Sequence, residues 1–205
     1  MLRNIFVLVH RYLGLATAVF LFICAFTGSL LVWQEELDAW LNPDLLIAST
    51  GQALPPNALL QHIERQAPGT AVSFMMYPRE PSKSLYAFVT NYPNKTQQVV
   101  TQLFLDPVTG AVLGGRNSSN PGFNRQEFVR WLYKLHYELT IGQVGRWILG
   151  LIAVLWLINC LVAFYLTLPR PGLQRLSKWK RSWWVNKSRF NFELHRASGL
   201  WLYPV

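Results

Sequence analysis

Two stretches of this chain carry no charged residue, and each is about twenty residues long. They are LGLATAVFLFICAFTGSLLVW, from Leu13 to Trp33, and WILGLIAVLWLINCLVAFYLTL, from Trp147 to Leu168. At about 1.5 Å of rise per residue, each run is long enough as a helix to cross the roughly 30 Å hydrocarbon core of a bilayer. The composition agrees: 51% hydrophobic and 14% aromatic residues stand against 14% charged ones. The first run follows a basic N-terminus, as a secretory signal does. It is too long for the apolar part of a signal, and no small-residue cleavage site closes it before WQEELDAW. The expected class is a membrane protein built on an α-helical transmembrane bundle.

The formal net charge of +9 is unevenly placed. From Gln34 to Arg146 nine basic residues balance nine acidic ones. The excess lies outside that stretch, at Arg3 and Arg11 before the first span and at Arg170, Arg175, Lys178, Lys180, Arg181, Lys187 and Arg189 after the second. Short basic flanks mark the cytoplasmic side, so both the N-terminus and the 170–190 loop are expected inside and the region between the spans outside. A basic loop holding Trp179, Trp183 and Trp184 suits anionic lipid head groups, and nucleic acid is not the expected partner. The two cysteines, Cys24 and Cys160, fall inside the spans. The outer region therefore has no disulfide to rely on.

That outer region reads as a small α+β domain at 35–125. PPNALLQHIERQAP (Pro55 to Pro68) predicts a helix with Pro in its first turn and Leu59, Leu60 and Ile63 on one face. TAVSFMMYP, KSLYAFVTN and QQVVTQLFLDPVTGAVLGG are β-rich runs bounded by Pro, Gly and Asn, with a turn at Asp106 to Gly110. Segment 126–169 then holds an amphipathic helix, RQEFVRWLYKLHYEL (Arg125 to Leu139), and the second span. After the 170–190 loop, residues 191–205 begin another apolar helix too short to cross a membrane. This segment is either interfacial or the start of a third span that the sequence cuts short, and truncation is the expectation because the apolar pattern still runs at Val205.

The hexapeptide His-Arg-x-x-Gly-Leu occurs twice, as HRYLGL at His10 and HRASGL at His195, each time opening an apolar segment. Chain order and topology put both histidines at the same cytoplasmic depth, where two imidazoles on neighbouring helices can supply both axial positions of a haem iron. Gly14 and Gly199 each lie four residues beyond their histidine, on the same helix face, where a flat macrocycle needs a missing side chain. Arg11 and Arg196 stand where guanidinium groups bind propionate carboxylates. The competing reading is that His-Arg at a helix mouth is snorkelling charge and that the glycines serve helix packing. His136, followed by Gly142, Gly145, Gly150 and Arg146, suits a second haem at the outer level, but its partner is absent from this sequence. His62 reads as ordinary surface. Phosphate-binding Gly loops, Cys-x-x-Cys, His-Glu-x-x-His and nucleophile elbows are missing.

HRYLGLATAVFLFICAFTGSLLVWQEELD, LFLDPVTGAVLG, LHYELTIGQVGRWILG and FELHRASGLW, in that order, resemble the PepSY-associated transmembrane proteins. That group includes bacterial iron-regulated proteins and ferric-siderophore reductases of the inner membrane. The resemblance covers nearly the whole chain. It implies a four-helix core binding b-type haem through His10, His136 and His195, with a PepSY-like domain in the periplasm. It also implies a fourth helix, beyond this sequence, to supply the missing partner of His136.

Three functions fit these features. The first is a haem-dependent ferric reductase, taking electrons from a cytoplasmic or quinol donor to a periplasmic Fe(III) chelate. The second is a non-enzymatic accessory or sensory protein whose helices only anchor a PepSY-like domain. The third is a transporter subunit.

Overall fold

The computed structural model describes residues 2–66, 68–90, 101–168 and 189–202. The chain divides into two compact units. One comprises Met1–Cys24 with Ile141–Val205, the other Ala25–Thr140. The division falls inside the first helix and groups the amphipathic helix with the sheet. The 170–190 loop, with its tryptophans, lies outside the described residues apart from its last two positions.

In the first unit, helix α1 (Leu2–Leu31) and helix α6 (Gln143–Thr167) are each long and apolar enough to cross a membrane. Their outward side chains are bulky and apolar, Phe22 at 70% and Leu151 at 60% exposure among them, as suits lipid for a solvent. The contacts between the two helices fix their relative direction. Arg3 donates to the carbonyls of Leu166 (2.6 Å) and Leu168 (3.1 Å), Phe6 meets Tyr165 edge-on at 5.0 Å, and His10 reaches Asn159. As the number on α1 rises, its partner's number on α6 falls, so the helices run antiparallel. Arg3 thereby meets end-of-helix carbonyls that have no partner within the helix. Helix α7 (Phe190–Leu202) supplies the remaining described part of this unit.

The second unit is built on a four-stranded antiparallel meander in chain order: β1 (Ala71–Met76), β2 (Leu85–Thr90), β3 (Thr101–Leu105) and β4 (Val112–Asn117). Helix α4 (Pro56–Gln66) begins with proline, whose missing N–H costs nothing in a first turn. It buries Leu59 and Ile63, one turn apart, against Leu85, Ala87, Val89, Leu103 and Leu105. A register shift between Val72 and Phe74 lets Val72 and Met75 face this core while Phe74 pairs with Phe88 and Met76 with Tyr86.

All of β3 is buried, so its second face is covered as well. There Arg116 and Asp38, from α2 (Gln34–Leu41), form a buried ion pair, and the Arg116 guanidinium lies 4.9 Å from the Phe104 ring centroid. A short helix α3 (Pro43–Leu46) follows α2, and α5 (Phe128–Glu138) closes the unit.

In the β3–β4 turn Asp106 accepts from the N–H groups of Val108 (2.8 Å), Thr109 (3.1 Å) and Ser49 (3.0 Å). Burial pushes its carboxyl up, but those hydrogen bonds outweigh burial and hold its pKa at about 2. Gly110 closes the turn at φ +74, a left-handed conformation, and a Cβ there would lie 2.8 Å from the His62 ring. His62 is thus packed on the turn and half-buried.

Candidate functional site

Helical spacing places His10, Gly14 and Thr17 along one stripe of α1. That stripe meets Asn159, the one amide side chain in the uncharged run of α6. His10 Nδ1 lies 3.0 Å from Asn159 Oδ1. An amide oxygen only accepts, so the imidazole donates from Nδ1, and in the neutral ring the lone pair then stands on Nε2. Asn159 is 6% exposed and depends on such a partner.

His195, on α7, brings its ring centroid to 6.1 Å from that of His10, with the planes inclined at 47°. The separation suits two imidazoles sharing one metal. Metal–nitrogen bonds of about 2 Å on either side, plus the distance from each nitrogen to its ring centre, give roughly 6 Å between centroids. Among the described residues no three or more His, Cys, Asp or Glu side chains gather as a metal-ligand group. Two imidazoles suffice where a macrocycle supplies the equatorial nitrogens, as in haem, whereas a bare ion takes four or more ligands. His10 and His195 are thus residues that could hold a haem iron between them.

The flanking residues divide. A Cβ on Gly199 would find nothing within 4 Å, which leaves that side open to a flat ring. A Cβ on Gly14 would lie 3.2 Å from Asn159 Nδ2, so this glycine makes room for the asparagine, a use different from the expected porphyrin clearance. Arg11 is exposed and lies beside the Tyr12 ring at 5.6 Å. Arg196 is ion-paired with Glu193 one turn earlier and rests over the Phe192 ring at 5.7 Å. A propionate at Arg196 would therefore compete with Glu193.

His136 belongs to the other unit, on α5. Its Nδ1 lies 3.0 Å from Thr27 Oγ1, and a Cβ on Gly28 would approach its Cε1 to 3.0 Å, so the ring sits against α1 where a glycine admits it. Arg146 lies in the second turn of α6, exposed, with its N–H bonded to the Gly142 carbonyl at 3.2 Å. Asn159 and Thr27 escaped the reading of the sequence. The available signal was a polar side chain inside an apolar run, which marks a buried partner.

Residues 7–205 match the family described as the PepSY-associated TM region. The chain belongs to that family. It is accordingly a membrane protein, and the match embraces most of α1 together with the sheet unit, α6 and α7. Curated proteins gave no match.

Proposed function

We propose that the chain is a haem-binding electron-transfer protein of the bacterial inner membrane that reduces a periplasmic Fe(III) chelate such as a ferric siderophore. The observation that carries this reading is the 6.1 Å approach of His10 and His195, two residues 185 positions apart in matching sequence frames (195 less 10). Haem b, when bound, supplies a one-electron iron couple. His10, with its proton held at Nδ1, offers Nε2, and His195 faces it from α7. Gly199 leaves the ring its space, and the apolar faces of α1 and α6 keep water away.

Charge placement supports an N-terminus and a 170–190 loop in the cytoplasm, with the sheet domain in the periplasm. One electron from a cytoplasmic or quinol donor converts the chelated Fe(III) to Fe(II). The hard oxygen ligands then hold the metal less firmly, and the chelator survives intact.

The test is the visible spectrum of the purified protein from haem-replete cells. Sharp α and β bands on reduction, lost together with reduction of a ferric chelate in His10→Ala, are expected. A colourless preparation would favour the accessory or sensory reading, in which the helices are only an anchor.

A further inference from the structure

We propose that Asn159 is a positioning residue for His10, setting which imidazole nitrogen meets the metal and how strongly it donates. This inference rests on the reading of His10 as a haem ligand.

The geometry is specific. Asn159 lies deep in α6, an apolar helix of 25 residues, and is 6% exposed. A buried amide in such a helix is costly unless it is hydrogen-bonded. Its Oδ1 accepts a hydrogen bond from His10 Nδ1 at 3.0 Å. On the opposite helix Gly14, one turn beyond His10, leaves the space that the Asn159 amide fills. His10, Gly14 and Asn159 thus interlock: the glycine admits the amide, and the amide fixes the rotation of the ring and, in its neutral form, the tautomer with the lone pair on Nε2. An acceptor on the far nitrogen of a metal-bound imidazole also raises its basicity, which favours the oxidised metal. His195 has no such bond among the described residues. The two ligands are therefore inequivalent, and the potential of the pair is set from the His10 side.

Two variants in the full chain, solubilised in detergent, test this. Asn159→Leu keeps the branching and the heavy-atom count of the side chain and removes the acceptor. Asn159→Asp keeps an acceptor. Two readouts apply: the 15N resonances of the His10 imidazole in haem-free protein, and the midpoint potential of the bound haem.

In haem-free protein the wild type and Asn159→Asp should hold His10 as the Nδ1–H tautomer, and Asn159→Leu should show a mixture. With haem, Asn159→Leu should raise the midpoint and weaken haem retention by about 10–100-fold, and Asn159→Asp should lower the midpoint. An unchanged tautomer and midpoint in Asn159→Leu would overturn the proposal. If that variant does not accumulate, loss of the Nδ1–H tautomer in Asn159→Asp overturns it equally. Failure of the ligation reading looks different: His10→Ala would then leave the haem spectrum intact, while the imidazole resonances still report on Asn159.

Discussion

Asp38 and Arg116 stand 78 residues apart in the chain and meet through two parallel charge-assisted hydrogen bonds, Nη1 to Oδ1 at 2.8 Å and Nη2 to Oδ2 at 2.7 Å. Further hydrogen bonds support both groups: Asn42 donates to Asp38, and Arg116 donates to Gln102 and to the Gln126 carbonyl. The pair fastens α2, which directly follows the first apolar helix, to the last strand of the sheet. A buried pair of this kind is costly to break from one side, because the survivor is left as an unpaired buried charge. Arg116→Met should therefore destabilise the sheet unit by about 3–5 kcal/mol. Asp38→Leu combined with Arg116→Met should cost less than the sum of the single changes. Urea unfolding followed by far-ultraviolet circular dichroism reads both, and a loss under about 1 kcal/mol for the single change would show that the pair is dispensable.

Acid should loosen the same unit through Asp106. Its folded pKa, about 2, lies below the ordinary carboxyl value of 3.8. A depressed folded pKa contributes stability that is fully present above the unfolded value and is lost as pH falls through the folded one. The contribution should thus fade between about pH 4 and pH 2. Asp106→Ala should remove that part of the acid sensitivity and cost about 1–3 kcal/mol at neutral pH, because it strips three N–H groups of their acceptor. An acid titration of the full chain that superimposes on the variant's over this window would contradict the assignment.

Topology is open to a direct measurement. The motivating feature is the basic excess at Arg3, Arg11 and the 170–190 segment, set against a balanced middle. A reporter that works only in the periplasm should be active when fused after Gly115 and silent when fused after Ser182. The opposite pattern would invert the orientation and remove the periplasmic chelate from reach.

His10→Ala and His195→Ala should each abolish the low-spin signature of the haem they are proposed to share. The double variant should do little further damage, since ligands acting as a unit are not additive. Gly199→Leu should fold, because its Cβ position is open, yet lower haem content by filling the ring's space. A six-coordinate spectrum retained by either histidine variant would assign the repeated hexapeptide to helix packing instead.

Local pattern was enough to read the elements. Uncharged runs of spanning length gave α1 and α6, Pro55 and Pro56 with Leu59 and Ile63 gave α4, and alternation broken by Asp106 to Gly110 gave the β3–β4 hairpin. These signals lie within one helical turn or one strand, where backbone geometry alone dictates which side chains share a face. The repeated His-Arg-x-x-Gly frame likewise singled out His10 and His195, because the ends of spanning helices limit their depth.

What the sequence could not contain is the choice of neighbour across elements. Only tertiary structure brings Asn159 to His10 and Thr27 to His136, couples Arg196 to Glu193, and turns Gly14 from a supposed clearance for a ring into room for an amide. Sequence spacing fixes the face on which a side chain stands. The rotation and register of one helix against another decide what that face meets, and those are set by packing summed over the whole interface.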